Sequence, residues 1–324
     1  MASIDRDQFL IELYRLFPGA PPAEFSDAAL RILKLRLHFD SALWGTFALT
    51  PEGPHQHTVH LHGLPMEMLR GYQRVHAHNL PYHAAAARPG RTVNLSMDRV
   101  AAQVHPSALA FGRRWGLLCT LTTLIEERAL NLFSIVALYR NDLRRPFSES
   151  ERRFKQSVAP HLVAAWRMNA LHFLDEQARP TRALGRARAL VAPLGEISLA
   201  EPTLAELLRA ETREWHGPML PEPLLPLVRG ETDVYCGNAV VAALERRLED
   251  GAVVISVRRR VPLDELSSRE LQVAREFASG KSHKEIASLL GTSPATVRSQ
   301  IQSAYRKLGV DKKVDLLRRL EESG

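Results

Sequence analysis

Residues 266–310 read LSSRELQVAREFASGKSHKEIASLLGTSPATVRSQIQSAYRKLGV, and this stretch decides the fold of the end of the chain. It contains the spacing of a capping box twice, and a serine followed by a proline once, and each of these patterns starts a helix. The three start signals lie at Ser267/Glu270, Ser282/Glu285 and Ser293/Pro294. A glycine suited to a left-handed helix end follows each helix, at Gly280, Gly291 and Gly309. The stretch therefore predicts three short helices separated by tight turns.

The third of these helices, Pro294–Leu308, has two different faces. One face is an apolar stripe at helical spacing, formed by Val297, Ile301, Ala304 and Leu308. The other face carries no acid and consists of Arg298, Ser299, Gln302, Ser303, Arg306 and Lys307. Residues 281–313 hold seven Lys or Arg against two acids, a net charge of about +5. A basic, donor-rich helix face of this kind suits the major groove of DNA.

The stretch resembles the LuxR/NarL/GerE helix-turn-helix domain in its marks LSSRE, KEIA, SPATV and RKLGV. The residues after Gly309 predict a fourth helix, capped by Asp311 and edged by Val314, Leu317 and Leu320. The resemblance implies double-stranded DNA as partner and a role for this fourth helix in forming a homodimer. It also makes RNA polymerase a candidate partner. The implied base contacts are Arg298, Ser299 and Gln302. The implied phosphate contacts are Lys284, Thr296, Arg306 and Lys307. The chain departs from the family at Gln300 and Ala304, which predicts altered packing or base preference with the fold retained.

Residues 1–175 have the pattern of a mixed α/β unit. Helical periodicity covers residues 5–17, 22–39 and 65–78, and a loop is expected over residues 84–90. Apolar or alternating runs predict strands over residues 43–49, 57–64, 117–125 and 131–139. A capping-box spacing at Ser148 and Glu151 then opens a long helix that runs to about Leu174. The unit, and its PFSESERRFKQSVAPHL stretch in particular, resembles a GAF- or PAS-like sensory domain. We therefore predict a multi-domain chain, with an α/β region followed by an all-α four-helix domain over residues 263–324.

Residues 180–260 form a second expected segment. The basic stretch ARPTRALGRARAL, residues 178–190, is interpreted as a hinge. Residues 198–213 have a helical pattern, whereas residues 239–248 and 252–257 suggest a pair of strands. The segment resembles a degenerate PAS domain. The run Arg258-Arg259-Arg260-Val261-Pro262 is interpreted as a short basic linker, either solvated or in contact with DNA phosphates.

A sensory fold of this type implies a cavity between the sheet and its covering helices. The aromatic residues and one cysteine of the first unit are candidates to line it, although each could equally be ordinary core. They are Trp44, Phe47, Tyr72, Tyr82, Trp115, Cys119 and Phe133. Acyl-homoserine-lactone sensors share the C-terminal domain, but the Asp-Pro step of their pocket is replaced here by residues 78–81, His-Asn-Leu-Pro. Lactone recognition is not expected.

Seven histidines between residues 55 and 83 raise the alternative of a metal- or haem-dependent sensor or enzyme. Simple alternation along one strand puts His55 and His57 on the face opposite to His60 and His62. No cysteine or pair of carboxylates joins them in the sequence. We therefore predict no metal and no cofactor. A phosphorylated response regulator is disfavoured as well, because Asp40 and Asp98 lack the pattern of an acidic pair with a phosphoacceptor.

The composition of the 324-residue chain is that of an ordinary globular protein, with 45% hydrophobic and 24% charged residues. No apolar run approaches the roughly 20 residues that cross a bilayer, and the N-terminal residues lack the apolar centre of a secretory signal. Two widely separated cysteines fit a reducing cytoplasm. No GxSxG, HExxH or similar catalytic pattern is present. We expect a cytoplasmic protein that is not an enzyme and does not bind a membrane.

Overall fold

A computed structural model describes residues 5–17, 22–50, 53–72, 74–176 and 185–321 of the chain. The first unit contains, in order, α1 Arg6–Arg15, α2 Pro22–Lys34, β1 Ser41–Thr50, β2 Gly53–His62, α3 Glu67–Tyr72, α4 Leu80–Ala86, β3 Thr92–Ser96, α5 Met97–Val100, α6 Pro106–Trp115, β4 Cys119–Glu127, β5 Leu132–Arg140 and α7 Glu149–Glu176. The middle unit contains β6 Arg186–Val191, β7 Ile197–Ala200, α8 Leu204–Glu211, α9 Leu225–Arg229, β8 Val234–Cys236, β9 Val240–Arg247 and β10 Val253–Arg259. The C-terminal helices are α10 Ser268–Ala278, α11 His283–Leu290, α12 Pro294–Leu308 and α13 Lys313–Glu321.

The first unit is built on a five-stranded antiparallel sheet with the strand order β2-β1-β5-β4-β3. Alternate residues of each strand point to opposite faces, so the sheet has two separate apolar layers. Leu121, Val136 and Leu138 pack against α1, α2 and α7 on one face. Leu124 and Phe133 belong to the other layer, which α4 covers. The helices therefore lie on both faces of one sheet.

Several local predictions for this unit need correction. Residues 84–86, predicted as loop, belong to α4, because Asn79 caps this helix by accepting from the Tyr82 amide and Pro81 fits its first turn. Strand β3 and helix α6 were not predicted at all. The predicted helix over residues 22–39 ends at Lys34, and that over residues 65–78 shortens to α3 and a separate 3₁₀ turn, His76–His78. The strands, the β4–β5 hairpin and the long helix α7 are confirmed.

The middle unit has a second five-stranded antiparallel sheet, in the order β7-β6-β10-β9-β8. Counted from the first strand of each sheet, both sheets have the same order, 2-1-5-4-3. The predicted strand pair is confirmed as β9 and β10. The predicted helix over residues 198–213 is instead strand β7 followed by α8. The predicted hinge falls partly outside the described residues. Its end is strand β6, which pairs with β10 and contributes Ala187, Ala189 and Val191 to the buried core of the middle unit.

The β4–β5 hairpin joins the first unit to the middle unit. Leu130 at its tip is 3% exposed and belongs to the apolar core of the middle unit. The carbonyl of Ala129 accepts from Arg209 Nη2 at 2.8 Å. Gly217 lies against the same tip, since a Cβ at this position, with φ of +59°, would come within 2.3 Å of the Leu130 carbonyl oxygen. The hairpin is thus a contact between the two sheets as well as a turn.

Helices α10, α11 and α12 begin and end where the sequence predicts, whereas α13 begins at Lys313 and is preceded directly by Lys312 instead of the predicted cap Asp311. Both capping boxes form, and Ser293 caps α12 by accepting from the Thr296 amide. A further correction concerns α13. Its buried residue is Leu316, while Val314 is 65% exposed, because the face that packs against α10 is offset from the predicted edge. Nowhere in the described parts of the chain does a helix combine the length and apolarity of a membrane span.

Candidate DNA-binding surface and effector cavity

Helix α12 is held against α10 and α11 by its apolar stripe. Val297 and Ile301 share a core with Ile286 of α11, whereas Ala304 and Leu308 pack with Ala274 of α10. This packing directs the opposite face to solvent. Its exposed side chains include all three predicted base contacts and two of the predicted phosphate contacts, namely Thr296, Arg298, Ser299, Gln302 and Arg306. Lys284 of α11 is also exposed.

The exposed basic side chains of this surface are not neutralised by the protein. Across the described residues, Lys284, Arg298 and Arg306 form no ion pair. Counterions or phosphates are therefore the remaining partners for these three charges. The two family departures lie deeper, since Ala304 is fully buried and Gln300 is partly buried.

Lys307 differs from the other predicted phosphate contacts because it is already paired. Its Nζ lies 2.7 Å from Glu270 Oε2, and the Ser303 hydroxyl donates to Glu270 Oε1 at 2.6 Å. The same carboxylate accepts from the Ser267 amide at 2.7 Å, which is the capping-box bond of α10. These donors lower the pKa of Glu270 to about 2. The capping glutamate thus links the start of α10 to the end of α12.

A cavity of about 740 Å³ lies between the first sheet and helices α3 to α6. The sheet contributes mainly Phe47, Thr120, Thr122, Ile135 and Tyr139, and the helices contribute mainly Tyr72, Asn79, Tyr82, Ala108 and Phe111. Pockets of several hundred Å³ with apolar walls and a few polar groups are typical of small-molecule sites. The described lining contains no Asp, Glu or Lys.

Of the seven predicted pocket residues, three line the cavity, two lie next to it and two lie on the other face of the sheet. Phe47, Tyr72 and Tyr82 line the cavity. Phe133 lies just behind it, stacked on Phe47 with ring centroids 5.4 Å apart, and Trp115 contacts the lining residue Phe111. Trp44 and Cys119 point to the opposite face of the sheet and are buried in the core with α1, α2 and α7.

Several cavity residues were not found from the sequence, and Tyr139 is the most informative of them. It shares the face of β5 with Phe133 and Ile135, so the alternation of the strand could have identified it. Tyr139 keeps accessible surface although it lies on the inner side of the sheet, and that surface faces the cavity. Burial raises the pKa of the Tyr139 hydroxyl far above its ordinary value, and raises that of Tyr72 to about 12. Both phenols therefore remain neutral hydrogen-bond donors.

The histidine-rich region does not follow the simple alternation expected of it. A bulge opposite Thr46 and Phe47 shifts the register of β2 by one residue at His57, so parity along the whole strand cannot assign faces. Two of the histidines meet a carboxylate, with His62 Nδ1 at 3.2 Å and His60 Nε2 at 3.7 Å from Asp27 Oδ1. In the part of the chain that is described, no three His, Cys, Asp or Glu side chains form a group that could hold a metal ion.

Comparison with known proteins gives a match for the C-terminal helices. Residues 264–320 match the GerE family model, described as bacterial regulatory proteins of the luxR family. The transcriptional regulatory protein UhpA of Escherichia coli K12 is 47% identical over 57 residues, which cover 18% of this chain and 29% of UhpA. The nitrate/nitrite response regulator protein NarP of the same strain is 45% identical over 53 residues, or 16% of this chain and 25% of NarP. The chain thus spans less than a third of each of these two relatives. The LuxR-family resemblance of the C-terminal stretch is confirmed.

Solved structures are similar over longer stretches at low identity. SdiA of Escherichia coli is 15% identical, with 98% of this chain and 96% of that chain covered and a TM-score of 0.41. The GAF domain of a phosphoenolpyruvate-protein phosphotransferase from Coxiella burnetii is 16% identical, with 55% of this chain and 99% of that chain covered and a TM-score of 0.37. The predicted order of domains along the chain, an α/β sheet region followed by a helix-turn-helix domain, is confirmed.

Proposed function

We propose that this chain, whose residues 264–320 form a LuxR-family helix-turn-helix domain, is a sequence-specific transcription regulator that binds DNA as a homodimer and responds to a small molecule in the cavity. The observation that carries the proposal is the exposed face of α12. This face presents small polar groups and basic groups that have no ion-pair partner among the described residues, while its opposite face packs in the core.

The dimensions of the major groove admit one α-helix, and α12 is the helix whose polar face is free to enter it. Arg298 and Gln302 lie one turn apart on that face, where bidentate side chains can reach neighbouring base edges. Arg306 follows one further turn along, and Lys284 lies on α11. These two side chains are placed to hold phosphates and so to set the register of the helix on DNA.

The homodimer is proposed on α13. This helix buries Leu316 inward and leaves Val314 exposed on its outer side. Leu289 of α11 is a second apolar side chain available for contact with another copy of the chain, since it is 57% exposed. A two-fold arrangement through α13 would place two copies of α12 on half-sites one helical turn of DNA apart.

We propose that the two sheets transmit the effect of a small molecule from the cavity to the C-terminal helices. The floor of the cavity includes strands β4 and β5, and the hairpin between them is embedded in the middle unit through Leu130. Strand β10 of the middle unit leads directly to the C-terminal helices, where Arg258 forms an ion pair with Asp264 at 2.5 Å. A ligand that changes the sheet of the first unit could therefore change how the DNA-binding helices are presented. The proposal includes no catalytic step.

The test is to sequence genomic DNA fragments that the purified full-length protein retains at near-physiological salt. We expect enrichment of a two-fold-symmetric motif. Diffuse, salt-sensitive retention without a motif would contradict sequence-specific binding by a dimer. Arg229→Ala, which removes an exposed arginine of the middle unit, is the matched control for Arg298→Ala and should leave the motif unchanged.

A further inference from the structure

Two tyrosine hydroxyls of the cavity have no hydrogen-bond partner within the described structure, those of Tyr82 and Tyr139. Burial raises the pKa of both, so both stay protonated. Buried polar groups are almost always hydrogen-bonded, and leaving one unpaired costs about 1–3 kcal/mol. A donor that faces a cavity without a protein partner is therefore placed to bind something in that cavity.

The remaining hydroxyls and amides of the lining are largely paired with one another. Thr46 and Thr58 share a hydrogen bond of 2.8 Å, and Thr120 and Thr122 share one of 3.0 Å. Asn79 Nδ2 donates to the Tyr72 hydroxyl at 2.8 Å, while Asn79 Oδ1 accepts from the Tyr82 amide. The described lining also contains the imidazoles of His57, His76 and His78, but among its hydroxyls only those of Tyr82 and Tyr139 lack a partner in the described structure.

The charges around the cavity limit what can enter it. No carboxylate and no lysine belongs to its described lining, so an ammonium group would find no counter-charge. The arginine of the lining, Arg70, is exposed, and so is His78, which places both at the outer side. A carboxylate deep in the cavity, beside Tyr139, would be desolvated without a buried Lys or Arg of the described lining to pair with. An uncharged ligand avoids both costs.

The positions of the two lining residues of β5 indicate one dimension of the site. Ile135 and Phe47 lie at one end with Tyr82, and Tyr139 lies at the other end. Four residue steps of about 3.3 Å separate Ile135 from Tyr139, or about 13 Å. The space between is bordered by aliphatic and aromatic side chains such as Leu43 and Phe111.

We infer that the cavity binds an uncharged, mainly apolar molecule about 13 Å long that carries, at one end, a carbonyl or ether oxygen accepting the hydroxyl proton of Tyr139. The inference rests on the proposed function only in taking the cavity as the effector site. Because Tyr139 offers a neutral hydroxyl donor and the described lining holds no carboxylate, the chemical class is an uncharged ketone, ester or ether. The apolar end of the molecule packs against Phe47 and Ile135.

The experiment measures the binding of three probes that share a ten-carbon chain to the full-length protein by isothermal titration calorimetry. Methyl decanoate is neutral and has an acceptor, decanoate is an anion, and decylammonium is a cation. We expect the ester to bind at least tenfold more tightly than either charged probe. We also expect Tyr139→Phe to weaken ester binding about 2–10-fold, the cost of one neutral hydrogen bond. Tyr14→Phe, which removes a hydroxyl that contacts His161 of α7 and lies outside the cavity lining, should leave it unchanged.

Equal or tighter binding of a charged probe would overturn the inference, as would an unchanged ester affinity in Tyr139→Phe or the failure of the ester to bind. Binding of the protein to its selected DNA motif is measured in the same preparations. If the ester fails to bind while the motif is still recognised, the ligand class is wrong and the DNA-binding proposal stands. If the ester binds as expected but DNA affinity does not change with it, the class stands and the proposed response to an effector fails.

Discussion

Glu270 and Lys307 form an ion pair of 2.7 Å that joins the first turn of α10 to the last turn of α12. The glutamate is at the same time the capping-box residue of α10 and an acceptor for Ser303. A local helix-start signal is therefore also a tertiary contact. The second capping box, at Ser282 and Glu285, has the same local form, but its carboxylate is exposed and its hydrogen bonds are all to Ser282.

The difference between the two capping boxes predicts different effects of the same substitution. Glu270→Gln keeps a capping side chain but removes the charge, so it should loosen α12 by about 0.2–1 kcal/mol, the value of a partly exposed ion pair. Native-state hydrogen exchange of the α12 amides measures this change. Glu285→Gln is the control and should affect α11 alone. Equal effects of both variants on α12 would show that the pair with Lys307 contributes nothing.

The lowered pKa of Glu270 gives this contact a pH dependence. Because the pKa in the folded chain is about 2, below the ordinary 4.5, the stabilisation is complete above pH 4.5 and is lost as the pH falls toward 2. We expect the protection of the α12 amides to decrease over that window in the parent and to vary less in Glu270→Gln. A parallel decrease in both proteins would contradict the assignment.

Replacement of Arg298 by alanine should relax base preference. A bidentate contact to one base is worth about 1–3 kcal/mol of discrimination, so the variant should lose that amount between the selected motif and its single-base variants. Competitive binding to such a series of duplexes measures the loss, and Gln302→Ala should act in the same way at a neighbouring base. If Arg298→Ala retains the affinity and selectivity of the parent, the groove assignment of α12 is wrong.

Arg306 and Lys307 should differ in their contribution to salt dependence. Arg306 is exposed and has no ion-pair partner within the described chain, so Arg306→Ala should reduce the salt slope of DNA binding by about 1. Lys307→Ala should reduce it less, because Glu270 already neutralises this lysine. Titrations of the motif at several salt concentrations test both. A larger loss for Lys307→Ala would mean that the ion pair opens on DNA.

Leu130 should be important for the stability of the middle unit although it belongs to the hairpin of the first. Leu130→Ala removes a side chain that is 3% exposed, which typically costs about 2–5 kcal/mol. Hydrogen exchange of the β9 and β10 amides reports this loss in the middle unit. Leu35→Ala is the control, because Leu35 is 82% exposed and should change stability little. Unchanged protection in β9 and β10 would show that the hairpin contact is not energetically coupled to the middle unit.

Lys155 gives the protein a second pH dependence, located in the first unit. Its cause is the burial of a lysine, whereas that of Glu270 is pairing with hydrogen-bond donors. The ammonium position of Lys155 on α7 is fully buried against β4 and β5, hydrogen-bonded to Thr123 Oγ1 at 2.5 Å and the Val136 carbonyl at 2.8 Å, and burial lowers its pKa well below 10.5. The unfolded chain then binds a proton that the folded chain does not, so stability rises with pH up to about the ordinary lysine pKa.

Lys155→Met should therefore raise the unfolding midpoint at pH 7 and flatten its rise between pH 7 and 9. Thermal unfolding of the full chain at several pH values measures both effects. Lys312→Met, which changes an exposed lysine, should alter neither. A parent midpoint that does not rise over this range would show that Lys155 is charged in the folded chain.

The C-terminal helices could be predicted from the sequence because the signals that define them are local. A serine three residues before a glutamate, a proline at the first helical position and a glycine at the helix end each act within one turn of chain. The apolar stripe of α12 then determines which side is buried, and so leaves Arg298 and Gln302 exposed. Family resemblance and physical pattern agree over this domain.

The cavity and the middle sheet depended on contacts between distant parts of the chain. Trp44 and Tyr139 are both aromatic strand residues, yet only Tyr139 faces the cavity, because α1, α2 and α7 fill the other side of the sheet. From the sequence alone, the basic stretch over residues 178–190 is interpreted as a hinge. The pairing of its last residues, from Arg186 onward, with β10 makes that end part of a sheet. The bulge at His57 shifts a register that alternation alone would hold constant. A strand pattern specifies that two faces exist, whereas the packing of the whole chain decides which of them encloses a ligand site.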